Sequence, residues 1–196
     1  KDGKPKGNTE KAVALIEKTL AKYPSHIGLI HYYIHITEAG PDFKKPSAFI
    51  DKLPILGKDI GHLVHMPAHV NFLSGEYSKA VKACAECYAV EVAYFKNEKV
   101  KPIDQPNFSH NLHFWAVSLA ENGDYEEAIK VAKILAGVLN ESKRENTTKS
   151  QNIYTAATLE SFIEIRFNHF KKASKALAAI QTVKDSGLDL YLKFLS

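Results

Sequence analysis

The sequence has few of the features that mark a membrane protein, a redox enzyme or a nucleotide-binding enzyme. Its 196 residues include two cysteines, one methionine and one tryptophan. No apolar run approaches the roughly 20 residues needed to span a bilayer. There is no glycine-rich phosphate loop and no serine–histidine–aspartate signature. The net charge of +4 is small and the lysines are scattered, which argues against a nucleic-acid-binding surface.

The two cysteines, Cys84 and Cys87, form a Cys-x-x-Cys motif. Such a motif can serve redox chemistry or metal binding. Redox motifs of this kind lie near a βαβ pattern, which is absent here. We therefore interpret the pair as small buried residues on one helix face. A haem is also without support, because no Cys-x-x-Cys-His motif occurs.

The chain starts at Lys1, without a methionine or an apolar signal-like segment. Any targeting segment is therefore expected to have been removed or to lie outside this stretch. Three Asn-x-Ser/Thr sequons, at Asn107, Asn140 and Asn146, leave a secreted location open. The compartment stays unknown.

A short pattern recurs along the whole chain. A turn residue is followed two positions later by an aromatic residue and three positions after that by a small one, as in Gly75-Glu-Tyr77-Ser-Lys-Ala80. Apolar residues then follow at helical spacing. The pattern predicts helical hairpins whose turns adopt the left-handed conformation that ends a helix. Its copies begin at Gly7, Pro41, Gly75, Gly123 and Asn168, except that Thr9 replaces the aromatic residue in the first copy and Pro46 replaces the small residue in the second.

This pattern resembles the tetratricopeptide repeat (TPR). The period of 34 residues and the Gly-x-Tyr-x-x-Ala turn match that family, and Pro24 falls where its repeat closes. The resemblance implies an all-α, TPR-like solenoid, a right-handed superhelix of about four to five repeats, formed as a single array over residues 1–196. The first unit begins at its turn, so we expect a fragment of a longer chain. Longer offsets indicate insertions at 97–108 and 140–150.

Periodicity and turn signals place the helices in more detail. Pro46 fits the first turn of its helix. Pro67 is unfavourable inside the predicted helix 61–74, because an interior proline removes a hydrogen bond and kinks a helix. The predicted helices cover residues 8–22, 26–39, 45–53, 61–74, 77–96, 109–122, 125–139, 150–167, 170–181 and 186–195.

Seven of the nine histidines lie in three segments that follow the repeat. Within each segment the spacings of three, four or seven residues place the side chains on one helix face. In TPR arrays the first helices line the concave surface, so the resemblance implies a histidine-lined groove. The residues concerned are His31, His35, Glu38, His62, His65, His69, His110 and His113. His26 and His169 fall outside the pattern.

Imidazole is the commonest metal ligand in proteins. The histidine segments therefore predict a groove that binds one or two transition-metal ions. Imidazole-rich ligation suits Zn, Cu, Ni or Fe. We expect the core ligands to be His31, His35, His65 and His69, with the other residues of the pattern as further candidates. A di-iron site is disfavoured, because Glu38 is the only carboxylate in the three segments.

Three other interpretations stay open. The groove of a TPR array could bind a peptide or protein partner without a metal. Uncapped repeat ends could drive self-association. Enzyme activity is disfavoured by the incomplete catalytic signature, and a metal-dependent hydrolase or oxidase is the enzyme alternative, with Glu38 as general base. No nucleic-acid partner and no membrane span are expected.

Overall fold

The computed structural model describes residues 5–38, 40, 44–140 and 158–178, and in these ranges every regular element is helical. The prediction of an all-α chain is confirmed. The elements are α1 (Thr9–Leu20), α2 (Ile27–Thr37), α3 (Lys44–Ser47), α4 (Lys52–Leu56), α5 (Gly61–Leu73), α6 (Tyr77–Glu98), a 3-10 turn (Pro102–Asp104), α7 (Pro106–Asn122), α8 (Tyr125–Asn140), α9 (158–166) and α10 (Phe170–Ala178).

The chain divides into two compact units, Lys1–Asn97 and Glu98–Ser196. In the first unit, α2 packs against α1, α3, α4 and α5. In the second, α7 and α8 form a closely packed pair. The first unit carries most of the histidines of the pattern.

The core of the first unit joins α1, α2, α4 and α5. Ile30 and Ile34 of α2, Leu53 of α4 and Met66 of α5 are all fully buried. Burying an aliphatic side chain of this size contributes about 1.5–3 kcal/mol. This apolar contact fixes α2 beside α5, and thereby sets where their histidines lie.

Three turns of the repeat share one way of ending a helix. Gly75 and Gly123 have φ angles of +80° and +92°, and Asn168 has +62°. After Gly75, the N–H of Glu76 donates to the carbonyl of Asn71 at 2.8 Å. Equivalent bonds close the other two turns, so each is a Schellman motif. The left-handed conformation predicted at these turns is confirmed.

The small residues of the repeat pack as expected. Ala80, Ala128 and Ala173 are each 0% exposed. A larger side chain at any of them would have to displace a neighbour, because protein interiors are close-packed. In the second unit, Arg166 of α9 also donates to Glu121 of α7 at 3.2 Å.

Some predicted helix bounds were wrong. The helix predicted over 45–53 is split into α3 and α4 by turn residues 48–51. The helix predicted from residue 109 begins at Pro106, where a proline costs nothing because the first N–H has no helical partner. The helix over 186–195, residues 150–157 and 179–181 of two others, and most of the insertion at 140–150 lie outside the described residues.

Pro67 lies inside α5, which continues through it from Gly61 to Leu73. Its ring removes one backbone hydrogen bond from the helix. Surrounding burial offsets that loss, because Met66 and Ala68 beside it are each 0% exposed. Every helix among the described residues is too short or too polar to cross a membrane.

Two glycines of the second unit allow a matched test of the turn. Gly123→Ala is expected to lower the free energy of unfolding by about 1 kcal/mol, since a side chain is strained at positive φ. Gly137→Ala, in α8, is expected to raise it by about 0.5–1 kcal/mol through helix propensity. Neither added Cβ would meet another atom within 4 Å. Urea unfolding of both variants measures the difference, and effects of the same sign would contradict the assignment.

Candidate metal centre

Two helices of the first unit supply six side chains of the predicted site. His31 and His35 lie one turn apart on α2, and Glu38 is the residue that caps its end. On α5, His62, His65 and His69 follow at intervals of three and four residues, which places them on one face. The pairing of α2 with α5 turns the two faces toward each other.

The imidazole rings form a continuous array. The ring centroids of His31 and His62 are 4.9 Å apart, and those of His31 and His35 are 4.7 Å apart. His35 lies 5.4 Å from His69, which lies 4.9 Å from His65. Five rings from two helices are therefore in contact within a single unit.

His31, His35 and His62 form the first set. Each offers a ring nitrogen, and these atoms all lie within 4.8 Å of one another. Nε2 of His31 is 2.9 Å from Nε2 of His62. Two ligands of a tetrahedral zinc ion are roughly 3.3 Å apart, given bonds near 2.0–2.1 Å. This set could therefore hold a metal ion after small side-chain movements.

His62 carries a second informative atom. Its Nδ1 is buried and makes no hydrogen bond with any residue that the structure describes. A buried polar atom left without a partner costs about 1–3 kcal/mol, so such atoms are rare in cores. Packing alone does not account for a histidine at this position.

His65 and His69 form a second pair. Their Nε2 atoms are 3.1 Å apart, and His65 is only 1% exposed. The sequence placed these two residues with His31 and His35 at the core of the site. In the structure His62 completes the group of His31 and His35, while His65 and His69 face each other.

Glu38 contacts both sets. Its Oε1 is 3.2 Å from Nδ1 of His35, within a hydrogen bond. Its Oε2 is buried and lies 3.2 Å from Nδ1 of His69, close enough for an ion pair but outside hydrogen-bond geometry. The carboxylate therefore lies between one imidazole of each helix.

The electrostatics of the cluster favour neutral imidazoles at His31 and His62 and an ionised carboxylate at Glu38. Burial, with the neighbouring imidazoles, lowers the pKa of His62 to about 4 and also lowers the pKa of His31. Burial alone would raise the pKa of Glu38, but its contacts with His35 and His69 outweigh this effect and lower it to about 2. Metals bind the neutral form of imidazole.

Helix α6 packs against α5 and contacts one of its histidines. Cys84 and Cys87 are buried, as predicted, and both are reduced thiols. Sγ of Cys84 lies 3.9 Å from Nδ1 of His65, and Cys87 donates to Glu91 at 3.5 Å. Burial raises the pKa of both thiols, which keeps them protonated. The sequence interpretation missed Glu91, although its spacing of four from Cys87 gave a signal.

Glu91 packs against the first residue of α5. It is 5% exposed, and a Cβ added to Gly61 would overlap its side chain. Gly61 therefore allows α6 to approach the start of α5. Burial raises the pKa of Glu91 to about 7, although the hydrogen bond from Cys87 acts in the opposite direction.

His110 and His113 lie on α7 of the second unit, on one helix face as their spacing predicts. The ring of His110 is 5.8 Å from that of Phe114. Burial lowers the pKa of His113. Their role as ligands stays a prediction.

The two histidines outside the pattern have other contacts. Nδ1 of His26 accepts a hydrogen bond from the backbone N–H of Leu29 at 3.2 Å and caps α2. In the second unit, Nδ1 of His169 is 2.9 Å from Oε2 of the buried Glu164, which also accepts from Tyr125 at 2.8 Å. Capping and pairing explain both residues without a metal.

Comparisons with protein-family models, with curated proteins and with solved structures gave no match to this chain. Its function is therefore inferred from the residues and geometry of the histidine cluster.

The raised pKa of Glu91 predicts a pH-dependent stability. The unfolded carboxyl titrates near 4.5 and the folded one near 7, so the folded state loses stability as the pH rises between these values. Glu91→Gln removes this loss. Relative to wild type, the free energy of unfolding of the variant should rise by about 2–3 kcal/mol between pH 5 and pH 8.

Urea unfolding at both pH values measures the effect. Glu86→Gln, on an exposed part of the same helix, is the control and should change stability by less than about 0.5 kcal/mol at either pH. A difference between Glu91→Gln and wild type that does not vary with pH would contradict the prediction.

Proposed function

We propose that this chain is a metal-binding module that takes one or two transition-metal ions through its histidines. The observation that carries the proposal is the convergence of His31, His35 and His62, whose ligand atoms lie within 4.8 Å of one another. Imidazole ligands suit Zn, Cu, Ni or Fe. Three protein ligands leave a coordination position for water or another small ligand.

The surrounding histidines extend this site. Glu38 and His69 lie in contact with it in the same unit, and His65 in turn contacts His69. His110 and His113 remain candidate ligands because they repeat the histidine pattern of α5 along the sequence. We also propose that the module is a TPR-like array. The recurring Schellman turns and fully buried alanines support this proposal.

A metal-free scaffold is the second candidate. Tyr32 favours it, because its ring is 5.4 Å from that of His31 and the residue is 64% exposed. Aromatic residues such as tyrosine are enriched at protein interfaces. A peptide or protein partner would then contact the histidines directly.

Loss of the first histidine set should remove bound metal. The double variant His31→Ala/His62→Ala is expected to lose at least one ion per chain, since two of the three converging imidazoles are gone. Zinc-loaded protein, desalted and analysed for metal content, gives the measurement. His26→Asn is the matched control, because asparagine also caps a helix and His26 lies outside the cluster.

The scaffold interpretation predicts a different outcome. Wild type would then retain no stoichiometric metal after desalting, and the double variant would equal both wild type and His26→Asn. That result would overturn the metal-binding proposal. A metal-binding module also gains stability from its ion, by about 2.7 kcal/mol at 100 times Kd. Adding zinc should therefore raise the Tm of wild type and of His26→Asn equally, and raise the Tm of the double variant less.

A further inference from the structure

The histidines on α2 and α5 form two sets, and the ring nitrogens of each set meet at a different place. Nε2 of His31 faces Nε2 of His62 at 2.9 Å, and Nε2 of His65 faces Nε2 of His69 at 3.1 Å. Each separation is close to the roughly 3.3 Å between two ligands of one tetrahedral ion. In each pair one Nε2 donates a hydrogen bond to the other, so an ion bound there would replace the shared hydrogen, which passes to solvent, and would take both nitrogens as ligands.

One ion could not take all five imidazoles of the first unit. Tetrahedral zinc has four ligands. The close group of ligand atoms contains His31, His35 and His62, but neither His65 nor His69 belongs to it. The second pair also lies deeper, since His65 is 1% exposed.

Glu38 is the residue that the two sets share. It lies 3.2 Å from Nδ1 of His35, in the first set, and 3.2 Å from Nδ1 of His69, in the second. A carboxylate that accepts the Nδ1 hydrogen of an imidazole fixes its tautomer and leaves Nε2 free to bind a metal. His69 makes the same approach to the carboxylate at 3.2 Å, as an ion pair outside hydrogen-bond geometry.

We propose that the first unit holds two ions, one at His31, His35 and His62 and one at His65 and His69, and that Glu38 is the positioning residue for both. This inference rests on the proposed function. Glu38 acts through His35 and His69 rather than as a ligand. Its single negative charge lies between the two positions and offsets part of the charge of both ions.

The number of ions per chain tests the two positions. A zinc titration monitored by calorimetry, together with elemental analysis, should find two ions per chain in wild type. It should find one ion per chain in His62→Ala and one in His69→Ala. The two single-site variants should retain different affinities, because they retain different ligands. If wild type binds one ion and both variants lose it, there is one site, and the inference fails while the proposed function stands. No bound ion in wild type would defeat both.

Variants of Glu38 test the positioning role. Glu38→Ala should lower the affinity for both ions by about 10- to 100-fold, the usual effect of losing a residue that orients a ligand. Glu38→Gln keeps the shape of the side chain but has one acceptor oxygen, so it should restore one of the two affinities. In cobalt-loaded protein, the visible absorption bands of both bound cobalt ions should change in the alanine variant. In the glutamine variant, the bands of only one ion should change.

Glu17→Gln is the matched control. Glu17 accepts a hydrogen bond from Tyr33 of α2 at 2.7 Å but does not belong to the histidine cluster. It should leave both affinities within twofold of wild type. The positioning role is overturned if Glu38→Ala also leaves them within twofold, or if Glu17→Gln weakens them equally. Circular dichroism verifies that each variant folds.

Discussion

The arrangement of the histidine cluster depends on the contact of one half-buried carboxylate, Glu38, with imidazoles from two helices. An isolated buried charge is costly, and nearby polar partners offset that cost. Glu38 finds these partners in His35 of its own helix end and His69 of α5. The contact therefore ties the orientation of two histidines to the packing of α2 on α5.

The apolar packing of α2 and α5 brings the residues of this contact together. The residues Leu63, Met66 and Val70 of α5 pack into the apolar core with α2. The remaining face of α5 carries histidines, so the helix is largely buried and serves both the core and the site. Pro67 adds to its buried surface at the expense of one hydrogen bond. Core packing thus fixes the backbone, and polar contacts among the side chains define the site.

The sequence predicted the local parts of this arrangement well. Turn chemistry gave the helix ends at Gly75 and Gly123, and helical spacing gave the shared histidine faces on α2 and α5. The division of the histidines into two sets could not be predicted, because it depends on the rotation of one helix against another. The break between α3 and α4 was missed for a similar reason, since the apolar residues there fit one helix as well as two.

The roles of single polar residues were the hardest to predict. His26 caps a helix, and Glu91 packs on Gly61; both contacts depend on backbone geometry that spacing does not specify. Glu38 was predicted as a candidate ligand, and its position between two imidazoles became visible only in three dimensions. The general lesson is that helix faces follow from the sequence, whereas partners across helices follow from packing.

If this chain binds a metal ion, imidazoles from α2 and α5 must be its ligands. The X-ray absorption spectrum of the zinc-loaded protein at the zinc edge measures this directly. We expect nearest neighbours of zinc that include about three imidazole nitrogens at roughly 2.0–2.1 Å, with the outer-shell scattering typical of histidine. Nearest neighbours that are oxygen atoms alone, without imidazole scattering, would contradict this expectation.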